Sequence, residues 1–390
     1  MDKIKIAESL DSWLPIIDGP GSVVTNYAKH LNNGDECKLI VPRAKEKDYV
    51  DNHSFEVFRC AAVSAPDNYR CAFPGADRRL KAYLKTQKFD IYHVHSPFNL
   101  GAYMVRAGKK NGVPVVAHLH TKYDQDFDRI PIAKMFKRFM MRRIMKTYKN
   151  ADSVWTVNDA TADVLRGYGY TGNIEVVRNG TDMVYPDNAG ALIKAVNEKH
   201  GLDGAENVLL FVGRIVWYKN LGLICSALKY AKSKGLKFKM LVVGFGEDEK
   251  KFKAAAAECG LQDDFIFAGK ITDRKFLSGY YLRSDLFLFP STFDTSSLVP
   301  VEAAAHCLPT LLIEGCSTAE NIVRDETGFL APETPEGYGQ KIYDICADKP
   351  LLKLVGENAH KRVYRSWADV VAEVRQKYRE VICQYKEKQK

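Results

Sequence analysis

Apolar positions recur along the chain in two rhythms. Short runs rich in β-branched residues, KIKIAES (3–9), CKLIVPR (37–43), IYHVHS (91–96), PVVAHLH (114–120), SVWTVN (153–158) and IEVVRN (174–179), read as strands. Between them lie longer stretches, such as 22–32 and 99–111, whose apolar residues repeat every three or four positions, as on one face of a helix. Strands separated by helices need crossover connections, so the pattern predicts a parallel sheet. It breaks over 180–207, GTDMVYPDNAGALIKAVNEKHGLDGAEN, which is rich in turn formers, and restarts with VLLFVGR, KMLVVG, DFIFAG, DLFLFP and PTLLIEG. That restart predicts a second open α/β domain, with a boundary near 185–205. The last residues, SWADVVAEVRQKYREVICQYKEKQK, read as one long helix.

Length agrees with two domains, since 390 residues exceed what one core usually holds. A composition of 46% hydrophobic and 27% charged residues argues against a disordered or fibrous chain. No run of 18 apolar residues is present, so no membrane span is expected, and a cytoplasmic location is. Nine cysteines at irregular spacing, without a C-x-x-C pair, read as buried thiols in a reducing compartment rather than a disulfide frame or zinc site. The net charge of +9 is unevenly placed. Residues 1–190 hold 28 Lys and Arg against 22 Asp and Glu, and residues 131–150 alone hold seven bases and no acid.

Ligands of open α/β sheets bind beyond the carboxyl ends of the strands, so the loops there are the places to look for chemistry. In DGPGS, Gly19 and Gly21 precede Ser22, a good N-cap, and would let backbone N–H groups approach an anion; the plainer reading is a tight turn into a helix. In FVGRIVWYKN, Arg214 offers a planar fork and Lys219 a compact charge, a pair suited to diphosphate oxygens, although Lys219 could be an exposed turn lysine. VVGFGE begins like a dinucleotide fingerprint but lacks its third glycine and the later acid. The stretch FPSTFDTSSLVPVEAAA places Asp294 and Glu302 on either side of a helix start. Ser296 or Ser297 would cap that helix and Pro300 would sit in its first turn. The N–H groups of Leu298 and Val299 would then face a phosphate, and Glu302 could accept both hydroxyls of a ribose. Otherwise Glu302 merely complements the helix dipole and Asp294 turns the chain.

Taken together, the order of these motifs resembles the retaining glycosyltransferases of family 4. The matching stretches are DGPGSVV, VVAHLHT, VVRNGTD, FVGR with Lys219, VVGFGE, SDLFLFPS, the two acids Asp294 and Glu302, and DETGFL. The resemblance implies a GT-B architecture: two Rossmann-like α/β domains facing a deep cleft. Residues 1–185 would bind the acceptor, 186–370 the nucleotide-sugar donor, and 371–390 would form a helix crossing back to the first domain. It implies that Gly19, Gly21, Arg214 and Lys219 bind the diphosphate and that Gly244 and Lys270 lie at the nucleotide. Glu302 would bind the ribose, Asp294, Thr295 and Ser296 would face the donor sugar, and His120 would stand beside the reacting centre. It also implies front-face attack without a protein nucleophile. No Asp-x-Asp is placed directly after a strand to hold a divalent ion, so neither a metal nor a cofactor is expected beyond the nucleotide sugar, which is a substrate. Two positions depart from the family pattern: Asp294 stands where Glu is usual, and Cys316-Ser317 where Gly-Gly is usual.

The basic segment bears on the acceptor. MFKRFMMRRIMK alternates bulky apolar residues with Lys137, Arg138, Arg142 and Arg143 at helical spacing, a pattern suited to an anionic bilayer surface or to a packed helix with a solvated basic face. DSWLPIIDG, HVHSPFNLG and HTKYDQDF resemble the branch of the family that glycosylates diacylglycerol or glycosyl-diacylglycerol. That resemblance implies a UDP-hexose donor, a membrane lipid acceptor, a peripheral position on the inner face of the membrane, and Asp18 and Tyr123 on the acceptor side. A polysaccharide, polyprenyl-linked or protein-linked glycan as acceptor, a sugar-nucleotide epimerase, and a nucleic-acid-binding helix are the competing readings. The last is disfavoured by sparse aromatics and the lack of an accompanying motif.

Overall fold

The computed structural model describes residues 3–16, 18–46, 48–64, 70–128 and 134–390. Ile17 in the first loop and residues 131–133 of the basic segment lie outside the described residues. The chain divides into two compact units, one formed by Met1–Asn179 with Trp367–Lys390 and the other by Gly180–Ser366.

The first unit is built on strands β1 (Lys5–Ser9), β2 (Glu36–Pro42), β3 (Glu56–Cys60), β4 (Ala62–Ser64), β5 (Arg70–Ala72), β6 (Ile91–Val94), β7 (Val115–Leu119), β8 (Ser153–Thr156) and β9 (Glu175–Val176). Seven of them form a parallel sheet in the order β3-β2-β1-β6-β7-β8-β9, and β4 and β5 pair as a small antiparallel ribbon. The central strands β6 and β7 are buried along their whole length, as both-face coverage of a parallel sheet requires. The C-terminal helix Trp367–Glu387 belongs to this unit. It buries Trp367, Val370, Val371, Val374, Tyr378 and Val381, a three-and-four spacing that gives one apolar stripe. Arg375 donates to Asp35 at 2.5 Å and Lys377 to Glu175 at 2.6 Å, fixing its register.

The second unit holds β10 (Val208–Val212), β11 (Lys239–Val243), β12 (Phe265–Gly269), β13 (Leu286–Phe289), β14 (Thr310–Ile313) and β15 (Phe329–Ala331), all parallel in the order β12-β11-β10-β13-β14-β15. Its helices cover the sheet with two apolar clusters, one centred on Phe211, Leu228 and Ile342, the other on Leu210, Tyr281 and Phe287. Both units are therefore doubly wound, and in each the strand order reverses once: between β1 and β6, and between β10 and β13. The loops that leave those strands define where a ligand can enter.

Candidate functional site

In the second unit β13 lies directly beside β10, so the loops that follow them start as neighbours. The β10 loop carries Arg214 and then one turn of 3-10 helix, Trp217–Lys219, closed by Asn220 in the left-handed region at φ 63°. That turn aims Lys219 at Asp294 in the β13 loop, and Nζ donates to both carboxylate oxygens at 2.8 and 3.0 Å. The ammonium also lies 5.4 Å from the centroid of the Phe289 ring. Arg214 is exposed and donates to the hydroxyl of Tyr218. The sequence reading sent Lys219 to a diphosphate and Asp294 to a sugar; in the structure the two meet each other.

Glu302 is buried and held from two sides. Arg274 donates to its Oε1 at 3.0 Å and the Tyr281 hydroxyl to its Oε2 at 2.8 Å. Arg274 also bonds Asp182. Burial and the charge of Glu302 push the Tyr281 hydroxyl far above its ordinary range, so it stays a donor. A carboxylate has about four acceptor sites, and these two bonds leave room for the hydroxyls of a diol.

The expected serine cap is corrected by the structure. Leu298 is the residue ahead of the helix Val299–Ala305, its dihedral angles are already helical at φ −74° and ψ −28°, and its own side chain makes no capping bond. A serine cap needs extended backbone at the boundary, which the chain does not adopt here. Pro300 does sit in the first turn. Thr295 and Ser296 lie half-buried on the loop before it. Gly244 serves close packing: at φ 144°, a Cβ there would collide with the carbonyl oxygen of Gly213, and its N–H donates to Gly269. Lys270 is exposed and stands 4.9 Å from the centroid of Phe245, giving a cation and an aromatic face at the carboxyl ends of β11 and β12.

In the first unit the glycine loop is the opening turn of a helix, Gly19–Leu31. Its cap is Asp18, not Ser22: Oδ1 accepts from the Gly21 N–H at 2.7 Å, and Oδ2 accepts from the Ser12 hydroxyl at 3.3 Å. A Cβ on Gly21 would press on Asp18 Oδ1 at 2.8 Å, so glycine is needed for the cap itself. Gly21, expected at a phosphate, and Asp18, expected on the acceptor side, are thus bonded to each other. Gly19 has open space around its Cα. Tyr123, also expected on the acceptor side, lies in the core of the first unit. It is 4% exposed, packs with Ile144 and Met145, and meets Tyr148 hydroxyl to hydroxyl at 3.3 Å.

His120 follows β7 and belongs to a buried group that sequence reading did not find. Its Nε2 is 2.9 Å from Nδ1 of His95, which follows β6, and Nε2 of His95 meets Oε2 of Glu8 on β1. The Tyr378 hydroxyl donates to Glu8 Oε1 at 2.7 Å and lies 2.6 Å from His93 Nδ1. His93 and His118 stack at 5.4 Å with 7° between ring planes, and His118 and His120 lie 4.2 Å apart. Burial lowers His118 and His120 well below the usual histidine range, with neighbouring imidazoles adding to it. Burial and His93 lower His95 to about 4. Burial raises Glu8, but the charges and hydrogen bonds of His93 and His95 outweigh it and hold the carboxyl well below its ordinary value. A ring nitrogen from each of His93, His95 and His118 lies within 4.8 Å of the others; hydrogen bonds occupy both nitrogens of His95, whereas His93 Nε2 and both nitrogens of His118 have no hydrogen-bond partner. The signal was available: HVH and HLH place alternate residues on one face of adjacent strands.

The helix Lys134–Lys149 is divided along its length. Its second half buries Ile144, Met145, Thr147 and Tyr148. Its first half exposes Met135 (83%), Phe136 (51%) and Phe139 (52%). Arg138, Arg142 and Arg143 are exposed beside them, Arg143 donates to Asn99 at 3.3 Å, and Lys137 donates to Asp128 at 2.5 Å. No helix among the described residues is long and apolar enough to cross a membrane.

Comparison with known proteins gives consistent findings. Residues 17–184 match the family described as Glycosyltransferase Family 4, and residues 193–362 match the family described as Glycosyl transferases group 1. The chain is 22% identical to an alpha-monoglucosyldiacylglycerol synthase of Streptococcus pneumoniae, over 94% of this chain and 86% of that protein. It is 25% identical to a GDP-mannose-dependent alpha-mannosyltransferase of Corynebacterium glutamicum, over 97% of this chain and 90% of that one. Among solved structures, Anabaena HepE in complex with UDP and glucose has the same fold, with a TM-score of 0.76 at 16% identity, covering 96% of this chain and 99% of that one.

Proposed function

The chain belongs to the family 4 glycosyltransferases and has their GT-B architecture; from that premise we propose that it transfers a hexose from UDP to a hydroxyl of a membrane glycerolipid or glycolipid, with retention of configuration. The observation that carries this reading is the meeting of Lys219 with Asp294 on the two loops at the strand-order reversal, with Arg214 on the same loop as Lys219.

Breaking the bond between the anomeric carbon and the diphosphate leaves negative charge on the departing oxygens. Preorganised cations aimed there are the largest available source of rate. Arg214 and Lys219 supply that charge, and the phosphate replaces Asp294 as the partner of Lys219. Asp294 is then released to accept hydroxyl protons of the sugar. Glu302, oriented by Arg274 and Tyr281, accepts from the ribose, while Phe245 and Lys270 border the base. The acceptor hydroxyl attacks from the face the diphosphate leaves, and its proton departs with the diphosphate. The helix at Val299 is only seven residues long, so the charge of the leaving group rests on the two cations rather than on a helix dipole.

The lipid acceptor is supported by the exposed Met135, Phe136 and Phe139 among basic residues, and by relatives named alpha-monoglucosyldiacylglycerol synthase. The enzyme would therefore work peripherally on the cytoplasmic face of the membrane. Radiolabelled UDP-glucose and GDP-mannose, each offered with diacylglycerol vesicles, test the reading. The expected result is release of UDP with formation of an α-glycolipid, unchanged by EDTA. Transfer to a soluble glycan with none to lipid would overturn the acceptor; use of GDP-mannose alone would overturn the donor.

A further inference from the structure

Buried polar atoms of a folded chain are bonded almost without exception, so a cluster of them that is not bonded calls for an explanation. Such a cluster lies in the first unit. His93 Nε2 and both ring nitrogens of His118 are buried and meet no hydrogen-bonding group, and a nitrogen of each ring lies within 4.8 Å of the other and of a nitrogen of His95. The three residues are 0%, 0% and 1% exposed. Behind each ring stands a polar group. Tyr378 gives its single hydroxyl hydrogen to Glu8 Oε1 at 2.7 Å, so His93 donates to Tyr378 through Nδ1–H at 2.6 Å and carries its lone pair on Nε2. Glu8 meets Nε2 of His95, and the Thr156 backbone, short of a hydrogen bond, favours a hydrogen on the His118 ring. Metal-binding imidazoles are held in this way, with one nitrogen on the ion and the other donating to a carboxylate, a backbone carbonyl or another oxygen.

We propose that His93, His95 and His118 bind one divalent cation of the zinc type inside the first unit. Imidazole nitrogens suit zinc and its neighbours in the first transition row, whereas magnesium and calcium take oxygen ligands. Tetrahedral zinc with nitrogens at about 2.0 to 2.1 Å holds its ligand atoms about 3.3 Å apart, so the rings close in by up to about 1.5 Å from the separations of the structure. His93 and His118 enter with nitrogens that bond no other group. His95 keeps Glu8 on Nε2, and the bond it exchanges for the ion is the one from Nδ1 to His120. Burial favours the neutral rings that a metal ligand requires. Because the site is enclosed, the ion loads as the chain folds, and its binding adds to the stability of the first unit. It ties β6 to β7 and, through Glu8 and Tyr378, to β1 and the C-terminal helix. The ion takes no step in sugar transfer, and the inference does not rest on the proposed reaction.

Metal content tests the site directly. Full-length protein without a histidine tag, made in zinc-supplemented cells and dialysed against EDTA, should retain about one zinc ion per chain by elemental mass spectrometry. Its X-ray absorption should show nitrogen neighbours at about 2.0 to 2.1 Å and no sulfur at about 2.3 Å, which separates this site from the nine cysteines. His118→Phe removes one ligand and no hydrogen bond, so it should fold and retain less than about a tenth of the zinc. Unmodified protein that holds no zinc, or holds it on sulfur, overturns the proposal, and both measurements stand even if His118→Phe does not fold. A folded His118→Phe that keeps its zinc overturns it as well. If the zinc behaves as stated but the protein transfers no sugar, the site survives and the proposed function fails.

Discussion

The two units place their chemistry at the same point of the same topology, yet they treat charge in opposite ways. At the strand-order reversal of the second unit the acids and bases are partly open and paired: Lys219 with Asp294, and Arg274 with Glu302 and Asp182. In the first unit the corresponding loops cover a sealed group of four histidines, one carboxylate and a tyrosine, in which burial keeps His95, His118 and His120 neutral. Paired charges at a solvent boundary can change partner when an anionic ligand arrives. A sealed hydrogen-bond chain cannot change partner without moving several protons. On the proposed reading the second unit supplies the charge that meets the leaving group, while the first holds a buried hydrogen-bond chain.

The largest effect that could break this division comes from removing the cations. Arg214→Ala with Lys219→Ala should reduce kcat/KM for transfer by about 10⁴-fold or more, since each donor aimed at developing charge contributes about 10² to 10³. Full-length protein assayed with UDP-glucose and lipid vesicles gives the number, and a loss below tenfold would end the assignment. Next in size is the basic helix of the first unit. Changing Lys137, Arg138, Arg142 and Arg143 to Glu removes roughly 1 kcal/mol of attraction per base, so partitioning onto anionic vesicles should fall about 10³-fold. Flotation at two salt concentrations measures it, and neutral vesicles should show little change.

Acid should separate the units. His95 titrates at about 4 in the folded protein against 6.5 for an ordinary histidine. Between those values the unfolded chain binds a proton that the folded chain refuses, so stability falls as pH drops from about 6.5 to about 4, by roughly 3 kcal/mol for this residue, and is flat above. His118 and His120 shift in the same direction, whereas the second unit has His306, lowered to about 4 by burial, and a smaller lowering at His200. Trp13, Trp155 and Trp367 lie in the first unit and Trp217 in the second. In Trp217→Phe, tryptophan fluorescence should therefore report unfolding at higher pH than circular dichroism of the whole chain. Coincident acid transitions would show that the two units titrate alike.

Much of the fold was legible because parallel strands covered on both faces are continuous apolar runs, and β1, β6, β7, β10 and β13 fall where the runs do. β3 was not, since EVFRC is half polar on an edge strand, and β15 is three residues long. Among candidate site residues, Arg214, Lys219 and Asp294 could be found because they follow strands directly. Glu8 could not, because one acid inside a strand resembles many others until its cross-strand partners are known. The serine cap failed for a local reason: the backbone turns helical one residue before Val299, and hydroxyl count says nothing about dihedral angles. Asp18 and Ser22 were confused because either could cap a helix, and only the 2.7 Å contact with Gly21 decides between them.

The smallest effect sharpens the comparison most. Tyr281→Phe removes one of the two bonds that orient Glu302 and changes nothing that faces Lys219 or Asp294 in the second unit. A hydrogen bond to a buried carboxylate contributes about 1.5 to 3 kcal/mol, but Arg274 still holds the other oxygen, so part of the orientation persists. If Glu302 holds the ribose, it binds ground state and transition state alike, and its loosening should raise KM for the donor about three- to tenfold with kcat nearly unchanged. If it touches the transferred sugar instead, kcat should fall and KM stay. Steady-state kinetics of this variant thus distinguish a carboxylate that grips the nucleotide from one that acts on the bond being broken. The second outcome would exchange the roles given to Asp294 and Glu302 while leaving the two cations where they are.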